Sequence, residues 1–158
     1  MMAEEEGKDG GQGSAELAYD PDVDWLLQNL VAVVNRGLIV YITLTVGGAM
    51  ISGEAISRVK YFEELREAFR DGRDQEDPNV MDEWVRIHAS NFAVDLEEGA
   101  EAAEARSRMS PPGFIHLRNA RLYQTSALPI PSSGGVLWRG RLSAIDGFHL
   151  GRLGHSVE

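Results

Sequence analysis

The apolar positions of this chain keep helical spacing in three stretches and strand spacing in two. Val23, Leu26, Leu27, Leu30, Val31 and Val34 recur at the interval that gathers side chains on one face of an α-helix. Ahead of them, Asp20-Pro21 joins an N-cap residue to a proline at the first helical position, and Asp22 and Asp24 suit the positive end of the helix dipole. Gly37 closes this helix. Residues 37–53 carry no charge; Val40, Ile42, Leu44 and Val46 alternate with Tyr41, Thr43 and Thr45, and Gly47-Gly48 supplies the positive φ angles of a two-residue hairpin turn. A membrane span is the rival reading, but the run is short for one and rich in β-branched residues, so the pattern predicts a hairpin. Gly53, inside the second strand, predicts a bend or a close backbone approach.

Residues 58–71 return to helical spacing, with Val59, Phe62, Leu65 and Phe69 on one side and Gly72 as the stop. A charged break follows over residues 72–78. Residues 79–93 predict another helix, with Val80, Trp84, Ile87 or His88, and Phe92 facing inward. Residues 95–112 are rich in Ala and Glu, end on Ser110-Pro111-Pro112 and read as a mobile insertion. The pattern then turns to strands. Phe114, Ile115, Leu117 and Leu122 flank Arg118, Asn119 and Arg121 in one, and residues 125–135, with Pro129, Pro131 and Gly134-Gly135, make a loop. Val136, Trp138, Gly140 and Leu142 alternate with Leu137, Arg139, Arg141 and Ser143 in the next strand. Asp146-Gly147 signals a tight turn before a last strand over residues 148–153.

This order predicts an α+β fold: an N-terminal helix, a strongly bent antiparallel five-stranded sheet or small Sm-like barrel, and a helical insertion between strands 2 and 3. An open α+β roll with the same elements is the alternative. One domain is expected over residues 20–153, with residues 58–112 as a helical and acidic insertion, flanked by a disordered acidic tail over 1–19 and a short tail over 154–158.

Charge changes the picture more than overall composition does. The 158 residues carry a formal charge of −10, yet it is unevenly placed. Residues 1–24 hold eight acids against Lys8, and residues 54–109 hold fifteen acids against eight bases. Residues 110–157 hold five arginines against Asp146 alone. Acidic and basic parts in one molecule favour charge-driven contacts between copies or with a partner. There is no cysteine, which removes disulfides and thiolate metal sites, and the N-terminus lacks the basic and apolar regions of a secretory signal. A cytoplasmic address is the expectation.

The chemistry-bearing residues do not assemble into a catalytic motif. His88, His116, His149 and His155 lack metal-ligand spacing, no serine sits in GxSxG, and no phosphate-binding glycine fingerprint occurs. No cofactor, no metal and no enzymatic activity are expected. The candidate partner-binding residues are Arg118, Arg121, Trp138, Arg139, Arg141, Phe148 and Arg152, a basic and aromatic set near the C-terminus. The plainer reading places Trp138 and Leu142 in the core, with Arg139 and Arg141 on a soluble face or paired with acids of the insertion. Such residues can also stack and neutralise single-stranded nucleic acid. Trp138-Arg139-Gly140 before a hydrophobic strand resembles the second signature of Sm proteins, which implies an RNA-binding module as the alternative function. The Asp and Asn of the first Sm signature are absent, and the charge of −10 opposes phosphate.

Three ordered blocks carry a longer resemblance. ITLTVGGAMISGEAISRVKYFEEL (residues 42–65), GFIHLRNARLY (113–123) and LWRGRLSAIDGFHLGRL (137–153) resemble the gas vesicle accessory protein U (GvpU) family. The resemblance implies a non-enzymatic accessory factor of gas vesicles, the air-filled protein shells that give microbial cells buoyancy. It further implies vesicle clustering through self-association and contact with the shell. The implied partners are the shell or other gas vesicle proteins and further copies of the chain, with no membrane and no nucleic acid.

Overall fold

Gly47 and Gly48 adopt φ angles of 56° and 82°, so the turn expected between the first two strands forms where only glycine is comfortable. In the computed structural model, residues 20–71, 78–92, 94, 96, 111–124 and 128–154 are described. The acidic segment 1–19, most of the stretch 95–112 and residues 155–158 lie outside them, and with them the expectations of a disordered tail and a mobile insertion. The elements run α1 (Trp25–Val34), β1 (Val40–Val46), β2 (Ala49–Ile56), α2 (Arg58–Asp71), α3 (Pro78–Asn91), β3 (Phe114–Tyr123), β4 (Val136–Arg141), a 3-10 turn (Leu142–Ala144) and β5 (Gly147–Leu150).

The five strands form one antiparallel sheet in the order β4-β3-β2-β1-β5. Consecutive strands β4 and β5 therefore occupy opposite edges. A flat sheet of this width would hold its edges about 19 Å apart. The link between them is short, and its 3-10 turn rises only about 2 Å per residue, so it reaches about 16 Å. The sheet must curl to be closed by so short a connection. No ladder joins β4 to β5 among the described residues; the strongly bent open sheet, rather than a closed barrel, is the form adopted.

One face of the sheet packs against α1. Val23, Leu27, Val31 and Val34 meet Ile42, Leu44, Ile51, Ala55, Ile115, Leu117, Ala120 and Leu142, with Trp138 and Phe148 against their margin. Leu26 leaves the expected stripe and is exposed with Trp25 and Val33. The helix also starts one turn later than Asp20-Pro21 suggests. Asp20 closes its own turn by accepting from the Asp22 N–H at 3.0 Å, and Asp24 caps the helix by accepting from the Leu27 N–H at 2.9 Å.

Helices α2 and α3, with Val94 from the chain just after them, form a second core of Val59, Phe62, Val85, Ala89 and Val94. The inward face of α3 differs from the expectation. Val80, Trp84 and Ile87 are exposed, while Val85 and Ala89 are fully buried. Arg66 of α2 grips Asp82 with both Nε and Nη2, which brings Asp82, Val85 and Ala89, spaced by three and four residues, onto the α2 side. Trp84 instead stacks on His88 and meets Phe69 edge-on.

Candidate functional site

β3 carries one more residue than either neighbour. Its pairing steps from Ser52↔Arg121 to Glu54↔Arg118 against β2, and from Leu117↔Trp138 to Ala120↔Val136 against β4. The extra residue is accommodated at Asn119, whose φ is 50°. Both neighbouring segments make room with glycine. A Cβ on Gly53 would lie 3.0 Å from the Arg118 carbonyl oxygen, and one on Gly135 would overlap the Asn119 backbone. In a regular strand Arg118 and Arg121 would face opposite ways, since side chains alternate. The bulge puts them on the same side.

The pairing register then fixes the whole face. Ser52 lies opposite Arg121, Glu54 opposite Arg118, Ile56 opposite His116, His116 opposite Arg139, and Phe114 opposite Arg141. Residues two apart on a strand share a side, so Arg118, Arg121, Arg139 and Arg141 all stand on the face away from α1. Trp138 and Phe148 pack on the other face, against the α1 core. The expected seven-residue group is thus divided by the sheet: aromatics inside, arginines outside.

The segment after β5 completes this polar face. Residues 151–154 run as a strap across three strands. The Gly151 N–H donates to the Tyr41 carbonyl at 2.8 Å, and the Thr43 hydroxyl reaches the Gly151 carbonyl at 3.0 Å. The Leu153 N–H donates to Ser52 Oγ at 3.0 Å, and the Tyr123 hydroxyl donates to the Leu153 carbonyl at 3.1 Å. Strand β5 is therefore shorter than the sequence pattern implies, and the strap carries Arg152 to the face. Its guanidinium lies 4.7 Å from the centre of the Tyr41 ring.

Glu54 sits at the centre, its side chain only 11% exposed. It accepts from Arg118 Nε at 2.8 Å, from Asn119 Nδ2 at 3.3 Å and from Arg152 Nη2 at 3.4 Å. Burial alone would raise its pKa, but the hydrogen bonds from Arg118 and Asn119 and the charges of Arg118 and Arg152 outweigh it and hold the carboxyl below the ordinary value. Arg118 also donates to Glu64 of α2 at 3.1 Å, and its pKa is raised by hydrogen bonds to both carboxylates. The arginine that pairs with an acid of the insertion is thus Arg118, whereas the sequence pattern pointed to Arg139 and Arg141 for that role.

Arg139 is held differently. Its guanidinium carbon lies 3.6 Å from the centre of the Phe114 ring and 4.4 Å from that of Phe92, two cation–π contacts from rings that meet each other edge-on. Nε and Nη2 are buried with no hydrogen-bond partner among the described residues, and so are both ring nitrogens of His116. Tyr61 of α2 covers His116, ring centroids 4.7 Å apart. Burial, then the charges of Arg139 and Arg58, push the His116 pKa down to about 3, so the ring is neutral at ordinary pH.

Of the five arginines, Arg141 and Arg152 are exposed, and Arg121 is half-buried, with Nε donating to the Gly134 carbonyl. Glu54, His116, Asn119 and the strap were not among the sequence-derived candidates. Glu54 had a visible signal, as the first charge after an otherwise uncharged hairpin. Among the described residues no group of three or more His, Asp or Glu side chains could hold a metal ion, and no helix is long and apolar enough to cross a membrane.

The model of one protein family, described as gas vesicle protein GvpU-like, matches residues 24–153, which take in every helix and strand named above. No curated protein and no solved structure matches the chain.

Proposed function

The chain belongs to the GvpU-like family of gas vesicle proteins, and from that membership we propose that it is a non-enzymatic accessory protein that organises or clusters gas vesicles through self-association and contact with the vesicle shell. The family match is the observation that carries this reading. The arrangement of charge supports it. A bent sheet presents its arginines on one face, while residues 1–24 hold eight acids against a single lysine. Copies of one chain can therefore attract one another, basic face to acidic segment, by contacts that are individually weak and act in number.

Within the candidate set, Arg141 on β4 and Arg152 on the strap make the outward contacts, Arg121 lies beside Arg152, and Arg118 and Arg139 hold the face in shape through Glu54, Glu64 and the phenylalanine rings. Trp138 and Phe148 support the same strands from the core side. The cytoplasm, beside the vesicles, is the proposed location. Because exposed charges are screened beyond about 10 Å at 0.1 M salt, association driven this way weakens as salt rises. Light scattering of the purified full chain across a salt series tests this: mass that falls with salt is expected, and a monomer at every salt concentration, with and without vesicles, contradicts it.

A further inference from the structure

Between the strap and the bulge of β3 the polar face opens into a cleft of about 180 Å3, lined by Ser52, Asn119, Arg121, Tyr123, Gly134 and Arg152. Its volume is that of about six water molecules, well below the 300 Å3 or more of a drug-sized ligand site. Its walls are fixed. Ser52 and Tyr123 tie down the strap on both sides of Leu153, at 3.0 and 3.1 Å, and Asn119 is held in the bulge.

The arginines that line it are incompletely used. Arg121 spends Nε on the Gly134 carbonyl, and its two terminal nitrogens have no hydrogen-bond partner among the described residues. Arg152 makes one long hydrogen bond, from Nη2 to Glu54 at 3.4 Å, which leaves Nε and Nη1 without one among the described residues. Among the described residues no carboxylate lines the cleft. Glu54, the acid behind it, already accepts on both oxygens, from Arg118 on one and from Asn119 and Arg152 on the other.

We infer that this cleft binds a small tetrahedral oxyanion, a phosphate group, between Arg121 and Arg152. Guanidinium groups match phosphate and carboxylate geometry and bind both through charge-assisted hydrogen bonds. A carboxylate offers two oxygens in one plane and a single charge. A tetrahedral dianion accepts from two directions at once, which is what arginines on a strand and on a strap provide. The size admits inorganic phosphate or the phosphoryl group of a compact phosphomonoester, and excludes a nucleotide as a fully enclosed guest.

Isothermal titration of the full chain with inorganic phosphate, at ionic strength held constant with sodium chloride, tests the site. Saturable binding is expected, weakened at least about tenfold in both Arg121→Gln and Arg152→Gln and unchanged in Arg36→Gln, an exposed arginine away from the face. Arg121→Lys, which keeps the charge and loses the fork, is expected to fall between wild type and Arg121→Gln; far-UV circular dichroism of each variant establishes that it is folded. A parallel titration with glycerol phosphate separates the sources, since tighter binding than phosphate identifies a phosphomonoester and weaker binding identifies the free ion. No saturable phosphate signal, wild-type binding by folded Arg121→Gln or Arg152→Gln, or equally tight binding of acetate would overturn the inference.

Discussion

His116 and Arg139 stand directly opposite each other across the β3–β4 ladder, beneath α2, each with buried nitrogens that no hydrogen-bond partner meets among the described residues. Like charges directly opposite in a sheet repel. The pair persists because the ring stays neutral and the guanidinium packs over Phe114 and Phe92. The polar face thus has Arg139 covered by rings, while Arg141, beyond it on β4, and Arg152, on the strap over β1 and β2, reach solvent at separate places.

The neutral ring makes stability depend on pH. The His116 pKa is about 3 in the native chain and about 6.5 when unfolded. Between these values the unfolded chain takes up a proton that the native chain does not, so stability is greatest above pH 6.5 and falls as pH drops toward 3. The slope approaches about 1.4 kcal/mol per pH unit, or about 2 kcal/mol between pH 7 and pH 5. Urea midpoints at these two pH values measure it. His116→Phe, which suits the ring environment of Tyr61 and Phe62, is expected to remove most of the difference; an unchanged difference would show that another group titrates.

Glu54→Gln leaves Arg118 and Arg152 without their shared carboxylate. Removing one partner of a buried, hydrogen-bonded ion pair is strongly destabilising, and here a loss of about 2–3 kcal/mol is expected, since Arg118 keeps Glu64. A double-mutant cycle with Arg118→Met isolates the pair. The double variant is expected to lose less than the two single losses added; strict additivity would mean that the two side chains do not interact.

Gly53→Val places a branched side chain against the Arg118 carbonyl and Ala120 at the bulge. Overpacking of this kind costs about 1–3 kcal/mol, read as a lower urea midpoint. The same substitution should also weaken any binding that needs Arg118 and Arg121 on one side. A Gly53→Val chain with wild-type stability would mean that the bulge can move.

Arg139→Met separates architecture from contact. Arg139 is half-buried, with Nε and Nη2 shielded from water and without a hydrogen-bond partner among the described residues; such unmet donors are costly, so urea stability at pH 7 is expected to hold or rise when an apolar side chain of similar length replaces them. Self-association measured by light scattering should be retained, whereas Arg141→Ala with Arg152→Ala should reduce it. Loss of association in a stable Arg139→Met chain would place Arg139 in the contact itself.

Much of the fold is legible in the chain because its strongest signals are local. Gly47-Gly48 fixes the hairpin, and the period of Val59, Phe62, Leu65 and Phe69 fixes α2 over the span observed. What was not legible depends on contacts distant in sequence. The rotation of α3 is set by Arg66 gripping Asp82, and apolar spacing alone pointed to Trp84 instead of Val85. The one extra residue in β3 is visible only against its neighbours, yet it decides that Arg118 and Arg121 share a face. The arginines of the candidate site could be named from sequence; the division between exposed Arg141 and ring-bound Arg139 required the second core, whose Phe92 comes from outside the strands.

The proposed contact with vesicles is tested most directly by flotation. Purified gas vesicles rise on slow centrifugation, so protein bound to their shell rises with them. The full chain is expected in the floating layer at low salt, to leave it as salt is raised, and to stay below when Arg141 and Arg152 are both replaced by alanine. A full chain that never rises with the vesicles, or a doubly substituted chain that rises as well as the wild type, would contradict the assignment of this arginine face to shell contact.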